Sequence, residues 1–175
     1  MKKEKNKIFL RHPADQDDSE VISKEKFVLV IPSVRSGHNV GAMFRTGDAF
    51  GVDKIYICGY TVTPPHPQLD KVSLGAETWI PWEQKKQTGR LLKKLKKQGF
   101  NIVALEQTEK SVDITKWKPK FPLALVLGNE VRGVDKKLLD LCDTHIEIPM
   151  QGKKESLNVS VAAGVAMYEI SRYNK

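Results

Sequence analysis

The chain lacks several features that would point to particular chemistries. It has two cysteines in 175 residues. Cys58 and Cys142 lie far apart, each among apolar neighbours, and read as buried free thiols rather than a disulfide. Its histidines, His12, His38, His66 and His145, are scattered, with no pair at helical or zinc-type spacing, so no metal site is expected. No apolar run approaches the roughly 20 residues needed to cross a bilayer, so no membrane partner is expected. The N-terminal stretch "MKKEKNKIFLRHPADQDDSE" has no long apolar h-region of a secretory signal, and a cytoplasmic location is the expectation. There is no internal repeat and no low-complexity segment. No G-x-G-x-x-G follows the first strand-like run, which argues against a standard dinucleotide site.

The length suffices for one domain with a real core. Lysine and arginine total 29 against 21 aspartates and glutamates, a net charge of +8. That excess favours a polyanionic partner, nucleic acid first and an anionic membrane second; a merely lysine-rich surface is the alternative. Residues 1–25 read as a charged, flexible leader, basic first and acidic after, and residues 26–175 as the folded domain.

From residue 27 strand and helix patterns alternate. "FVLVIPSV" (27–34), "KIYICGY" (54–60), "NIVALEQ" (101–107), "LALVLG" (123–128) and "THIEIPM" (144–150) are apolar, β-branched runs. Helical spacing appears in "NVGAMFRTGDAFG" (39–51), with Asn39 opening the helix and Gly51 as a C-cap. "TGRLLKKLKKQGF" (88–100) is amphipathic, and "VDKKLLDLCD" (134–143) is helical. "SLNVSVAAGVAMYEISRY" (156–173) reads as a helix with Ser156 as its N-cap. Alternation of this kind predicts an α/β domain with a mostly parallel sheet and helices on both faces. Ligands in such sheets bind beyond the carboxyl ends of strands, so chemistry is expected in the loops after residues 34, 107, 128 and 150.

Three of these loops carry polar clusters. In "LGNEVRGVD" the amide and carboxylate of Asn129 and Glu130 follow a buried strand; a plain strand-to-helix turn is the simpler alternative. In "SGHNVGAMFRTGDAFGV" Gly41 permits close backbone approach, and Arg45 interrupts the apolar face, with Asp48 a possible i+3 partner. In "IPMQGKKESLNVSVAAG" a basic loop leads to Ser156, Leu157 and Asn158 at a helix start, where free amides favour anions and ligand oxygens.

Together, "NVGAMFRTGDAFGV", "LALVLGNEVRGVD" and "IEIPMQGKKESLNVSVAAGVAMYE" resemble, in order and separation, the three signature motifs of the SpoU/TrmH-type RNA 2′-O-ribose methyltransferases of the SPOUT superfamily. The resemblance covers about residues 27–172. It implies an α/β fold whose C-terminal part forms a deep trefoil knot, a topology that general rules of chain connection would not suggest. It implies S-adenosyl-L-methionine as cofactor, held by Leu105, Glu106 and Gln107, by Gly128 and Asn129, and by Ile148, Met150, Ser156 and Leu157. From the residues themselves, Ile148, Met150 and Leu157 can form an apolar slot for an adenine ring, with backbone groups near Gly128 reading its edge. The resemblance makes Arg45 the central catalytic residue, with Asn39, Glu130, Ser156 and Asn158 around it.

A guanidinium holds its proton at ordinary pH, so Arg45 reads as a clamp on an RNA phosphate and a stabiliser of oxyanion charge, with proton removal left open. Glu130 reads as an orienting carboxylate. The resemblance further implies a homodimer, to which small residues Ala162, Ala163, Gly164 and Ala166 of the last helix are suited; packing within the chain suits them equally. "SLGAETWIPWE" (73–83) resembles the family's segment after the second strand, and its Trp79 and Trp82 could stack on bases or pack in a core. tRNA is the expected substrate, with ribosomal RNA as the alternative and a non-catalytic RNA-binding module as a further one. "EQTEKSVDI" (106–114) resembles the tRNA guanosine-18 branch. Candidate RNA contacts are Lys93, Lys94, Lys96, Lys97, Lys153, Lys154 and the leader, although a lysine row on an amphipathic helix is more often a solvated face.

Overall fold

The computed structural model describes residues 25–174. The expected charged leader therefore lies outside the described residues, save for Glu25.

Seven strands form one sheet: β1 (Phe27–Pro32), β2 (Lys54–Cys58), β3 (Trp82–Lys85), β4 (Asn101–Leu105), β5 (Val112–Asp113), β6 (Leu123–Val126) and β7 (Thr144–Glu147). Their order is β3-β2-β1-β6-β4-β7-β5, and every neighbouring pair is parallel. The helices are α1 (Gly37–Ala49), α2 (Pro67–Ser73), α3 (Thr88–Lys97), α4 (Lys136–Leu139) and α5 (Val159–Ser171).

The period of two in the strands divides the core. Phe27, Leu29, Ile31, Ile55, Ile57, Leu123 and Leu125 join α1 and α5 through Val40, Met43, Phe44, Ala163, Ala166, Met167 and Ile170. Val28, Val30, Tyr56, Ile102, Ala124 and Val126 face the other way, under Leu91, Leu92 and Leu95 of α3. Burial on both faces explains why these strands read as continuous apolar runs rather than alternating ones. Each large side chain so buried contributes about 1.5–3 kcal/mol, and β1 and β6 are buried along their whole length.

Several boundaries differ from expectation. Helix α1 is capped by Ser36, whose side chain accepts from the Asn39 backbone N–H, so Asn39 lies in the first turn rather than at the cap. Helix α5 starts after Asn158, whose side-chain oxygen accepts from the backbone N–H of Ser160 and Val161; Ser156 is not the cap but an exposed residue of the preceding loop. The helix expected over 134–143 shrinks to Lys136–Leu139. Beyond it the Asp143 carboxylate turns back to accept from the Ile102 N–H at 2.9 Å, which continued helix would forbid. Both cysteines are free, Cys58 buried and Cys142 half-buried.

Gly41 earns its place through close approach: a Cβ there would overlap the Leu69 carbonyl of α2. Ala163 and Ala166 pack inward, and Gly164 faces Thr46 of α1, so the small residues of α5 serve packing within the chain. The outer side of α5 exposes Val161, Val165 and Tyr168, with Tyr168 set edge-on against Phe50 at 5.6 Å. No helix among the described residues is long and apolar enough to cross a membrane.

Candidate active site

At the carboxyl ends of β1 and β6 the chain departs in opposite directions, to α1 and β2 on one side and to α4 and β7 on the other. This is the topological switch point, where parallel sheets open a crevice. The backbone is already unusual there. Ser33, the residue after β1, has φ 59°, a conformation costly for a residue with a side chain. Its carbonyl accepts from Asn129 Nδ2 at 2.7 Å.

The loop after β6 is tied into a compact ring. Asn129 and Gly133 exchange backbone hydrogen bonds of 2.9 and 3.0 Å. Asn129 Oδ1 accepts from the N–H groups of Val131 and Arg132 at 2.9 and 3.1 Å. Gly128 must be glycine because a Cβ would sit 2.8 Å from the Gly133 backbone. Glu106 braces the ring from β4: its Oε2 accepts from the Val134 N–H at 2.7 Å and its Oε1 from the Gln107 N–H at 3.2 Å. Glu106 thus spends its carboxylate on the loop backbone.

A chain of polar contacts links the three distant segments. Glu130 Oε1 accepts from the Ser36 N–H at 3.3 Å and from Asn39 Nδ2 at 3.4 Å. Glu130 Oε2 accepts from Asn129 Nδ2 at 3.2 Å. On the far side of Asn39, its Oδ1 accepts from Asn158 Nδ2 at 3.2 Å. The Ser160 hydroxyl lies 2.7 Å from Asn158 Oδ1 and 3.4 Å from Asn39 Oδ1. Three of the five expected catalytic residues, Asn39, Glu130 and Asn158, therefore form this cluster, while Ser156 is exposed two residues before its edge.

Arg45 stands apart. It lies six residues beyond Asn39, about 9 Å along the helix axis, and is exposed with no ion pair or hydrogen bond among the described residues. The alternative of an Arg45–Asp48 ion pair is not seen among the described residues; Asp48 Oδ1 instead accepts from the Trp79 indole at 2.8 Å. Trp79 is exposed and Trp82 packs half-buried against the core.

Beside the cluster, at the ends of β4 and β7, lies a cleft of about 680 Å³ lined by Gln107, Thr108, Glu147, Pro149, Met150 and Lys154. That volume suits a nucleoside-sized ligand. Of the expected cofactor residues, Gln107 and Met150 line it. Leu105 and Ile148 pack half-buried against the core beneath, Gly128 is buried, and Ser156 and Leu157 are exposed in the loop leading to α5. Glu109, Glu147 and Glu155 at the cleft give it acidic character, complementary to a ligand bearing a sulfonium and an amine. The Ser111 hydroxyl donates to Glu147, and the Thr108 hydroxyl is 3.0 Å from His145 Nδ1, which fixes the loop after β4 against β7.

Two residues at the rim escaped sequence reasoning. The Tyr60 hydroxyl accepts from Asn129 Nδ2 at 3.3 Å, and the Arg35 guanidinium lies 5.0 Å from the Tyr60 ring centre. The rule of strand carboxyl ends, applied to β2 as to β1, would have found Tyr60. Among the described residues no group of three or more His, Cys, Asp or Glu could hold a metal.

The fold is thus an α/β domain with an all-parallel sheet, a polar crevice at its switch point and an acidic cleft beside it. Residues 26–168 match the SpoU rRNA Methylase family, and the chain belongs to that family. It is 34% identical over 156 residues to the tRNA (guanosine(18)-2′-O)-methyltransferase of Aquifex aeolicus, covering 87% of this chain and 73% of that protein. It is 34% identical over 166 residues to the 23S rRNA (guanosine-2′-O-)-methyltransferase RlmB of Nitrosomonas europaea, covering 93% of this chain and 62% of that one. An AdoMet-bound rRNA methyltransferase from Sinorhizobium meliloti superimposes with a TM-score of 0.79 at 27% identity, over 84% of this chain and 56% of that one. The chain thus spans between just over half and three quarters of the length of these proteins.

Proposed function

We propose that this protein transfers a methyl group from S-adenosyl-L-methionine to a ribose 2′-hydroxyl of structured RNA, with tRNA the first substrate and ribosomal RNA the alternative. The observation that carries this reading is the contact chain Asn158–Asn39–Glu130–Asn129, which joins all three sequence motifs beside an acidic cleft. Relatives named for tRNA and for rRNA methylation match the chain about equally well, so the choice of tRNA rests on the 106–114 stretch alone.

The cleft's residues fit the cofactor: carboxylates for its cationic groups and Met150 for an apolar face. The cofactor would supply a methyl already activated by the sulfonium charge. The chain's own residues do the rest. Glu130 fixes the rotamers of Asn39 and Asn129 and so sets where ribose oxygens can hydrogen-bond. Arg45, unpaired and exposed, is free to clamp an RNA phosphate and to stabilise negative charge developing on the 2′-oxygen.

Because Arg45 stands away from the Asn39 cluster of its own chain, a homodimer in which it reaches the partner's site is part of this proposal. The exposed stripe Val161, Val165 and Tyr168 on α5, at i, i+4 and i+7, is the apolar surface such a contact would cover. The trefoil knot, with the segment after β7 threaded before α5 returns to α1, and a cytoplasmic location complete the reading.

The test is incubation with total tRNA, or with ribosomal RNA, and methyl-labelled cofactor, followed by nucleoside mapping. Wild type yields a 2′-O-methylnucleoside; Arg45→Ala yields at least a hundredfold less while cofactor binding in calorimetry persists. Methyl transfer to a base, or to no RNA at all, refutes the proposal.

A further inference from the structure

The opposite end of the sheet carries a second cleft, of about 560 Å³, where β4 and β7 begin. It lies between Gly99, the segment Trp117–Phe121 ahead of β6, and Asp143. That segment, "KWKPKF" (116–121), interleaves lysines with aromatic and proline residues. Burial alternates along it: Trp117 and Phe121 are half-buried against the core, while Lys118 and Lys120 are exposed.

The charge there is unbalanced. The acid in the cleft is already engaged: Asp143 Oδ1 pairs with Lys96 at 2.8 Å and Asp143 Oδ2 accepts from the Ile102 N–H at 2.9 Å. Lys96 is correspondingly withdrawn from the expected RNA-binding row. Lys118 and Lys120 have no ion pair among the described residues, nor do Lys93, Lys94 and Lys97 of α3, the helix that ends two residues before Gly99. Gly99, with φ 88° and nothing within 4 Å of where a Cβ would be, leaves the cleft open on that side. Acidic chemistry at one end of β4 and basic, aromatic chemistry at the other call for different ligands.

We propose that this groove binds an unpaired stretch of the RNA substrate, with Lys118 and Lys120 on phosphates and the Trp117 ring beneath a base. Lysines facing a polyanion and an aromatic face accepting any base are the two ingredients of sequence-tolerant single-strand binding. Strand β4 has five residues, so the groove lies about 17 Å from the cofactor cleft, within the reach of one folded RNA. The inference rests on the functional reading above.

The experiment compares wild type with Lys118→Gln/Lys120→Gln, both full-length, for binding of fluorescein-labelled total tRNA and of a 12-residue oligouridylate across a salt series. The double variant is expected to bind about five- to tenfold more weakly near physiological salt, and its slope of log affinity against log salt should fall by about 1.5. In methylation assays KM for RNA rises by a similar factor while kcat and cofactor affinity stay as in wild type. If wild type binds RNA and the variant matches it in affinity and slope, the groove assignment is overturned and the functional reading stands. If wild type binds no RNA at all, both fall.

Discussion

Asn158 performs two separable tasks, and the substitutions Asn158→Ala and Asn158→Asp pull them apart. Its Oδ1 caps α5 by accepting from the Ser160 and Val161 N–H groups at 2.9 and 3.4 Å, while its Nδ2 donates to Asn39 Oδ1 at 3.2 Å. Alanine removes both. The lost cap costs about 1 kcal/mol, which for a domain of this size lowers Tm by about 2–4 °C. Aspartate keeps an accepting oxygen at the cap, and its charge at a helix N-terminus adds about 0.3–1 kcal/mol. It lacks the amide donor, however, and turns a carboxylate oxygen towards Asn39 Oδ1.

Methylation by both variants should fall about ten- to a hundredfold, the range set by losing a hydrogen bond of about 1 kcal/mol and letting Asn39 swing from its position. Only the alanine variant should melt lower than wild type. Differential scanning calorimetry and single-turnover kinetics read the two effects independently. An Asn158→Asp protein with wild-type activity would show that the bond to Asn39 is idle. An Asn158→Asp protein melting as low as the alanine variant would show that the cap is not what holds the start of α5.

Gly128→Ala should cost about 1–3 kcal/mol in urea unfolding and weaken cofactor binding in calorimetry, because its Cβ would collide with the Gly133 backbone and disturb Glu106, which ties the 129–134 loop to Gln107 of the cleft; binding at wild-type affinity contradicts that coupling. Burial pushes the Cys58 thiol up to about 12 from an ordinary value of 9.0. The folded state therefore keeps a neutral thiol where the unfolded chain ionises. Its stabilising effect is complete below pH 9 and is lost as pH rises from 9 towards 12, at about 1.4 kcal/mol per pH unit for this group. Tyr56 and Cys142, also pushed up to about 12 chiefly by burial, act in the same direction. Urea midpoints measured from pH 7 to 10.5 should decline above pH 9, less steeply in Cys58→Ala; parallel profiles would refute the account. Val165→Glu, at the centre of the exposed stripe of α5, should convert a dimer to monomer in analytical ultracentrifugation with little change in Tm; a dimer that survives it buries some other surface.

The strands and the two-sided sheet were legible in the sequence because central parallel strands must be apolar on both faces, as β1 and β6 are. Helix α3, resting on strong amphipathic spacing, and α1 and α5, read from apolar runs with capping residues, were found within a few residues of their limits. What escaped was decided by local chemistry or by position at an edge. Helix α2 sits in "PPHPQ", where proline suggests a loop although Pro67 begins the helix. Strand β3 is an edge strand of polar composition, and β5 has two residues. The N-caps were misplaced because Ser36 and Asn158 compete with Asn39 and Ser156, all good capping residues within three positions of the true start. Asn39, Glu130 and Asn158 were named from the motif resemblance, but their mutual contacts were not readable from spacing, because 119 positions of sequence separate Asn39 from Asn158. The bonds by which the Glu106 carboxylate braces the loop were not readable from sequence either, and Tyr60 was passed over because a strand ending in Gly-Tyr looks like any turn.

The contact between Asn39 and the cap of α5 has a consequence for synthesis. The first motif leaves the ribosome more than a hundred residues ahead of the asparagine that completes its arrangement. A nascent chain can emerge with β1, α1 and every strand of the sheet and still lack the Asn39–Asn158 contact. That contact forms only when the final helix docks, so on the proposed function an interrupted translation product lacking α5 would be chemically silent.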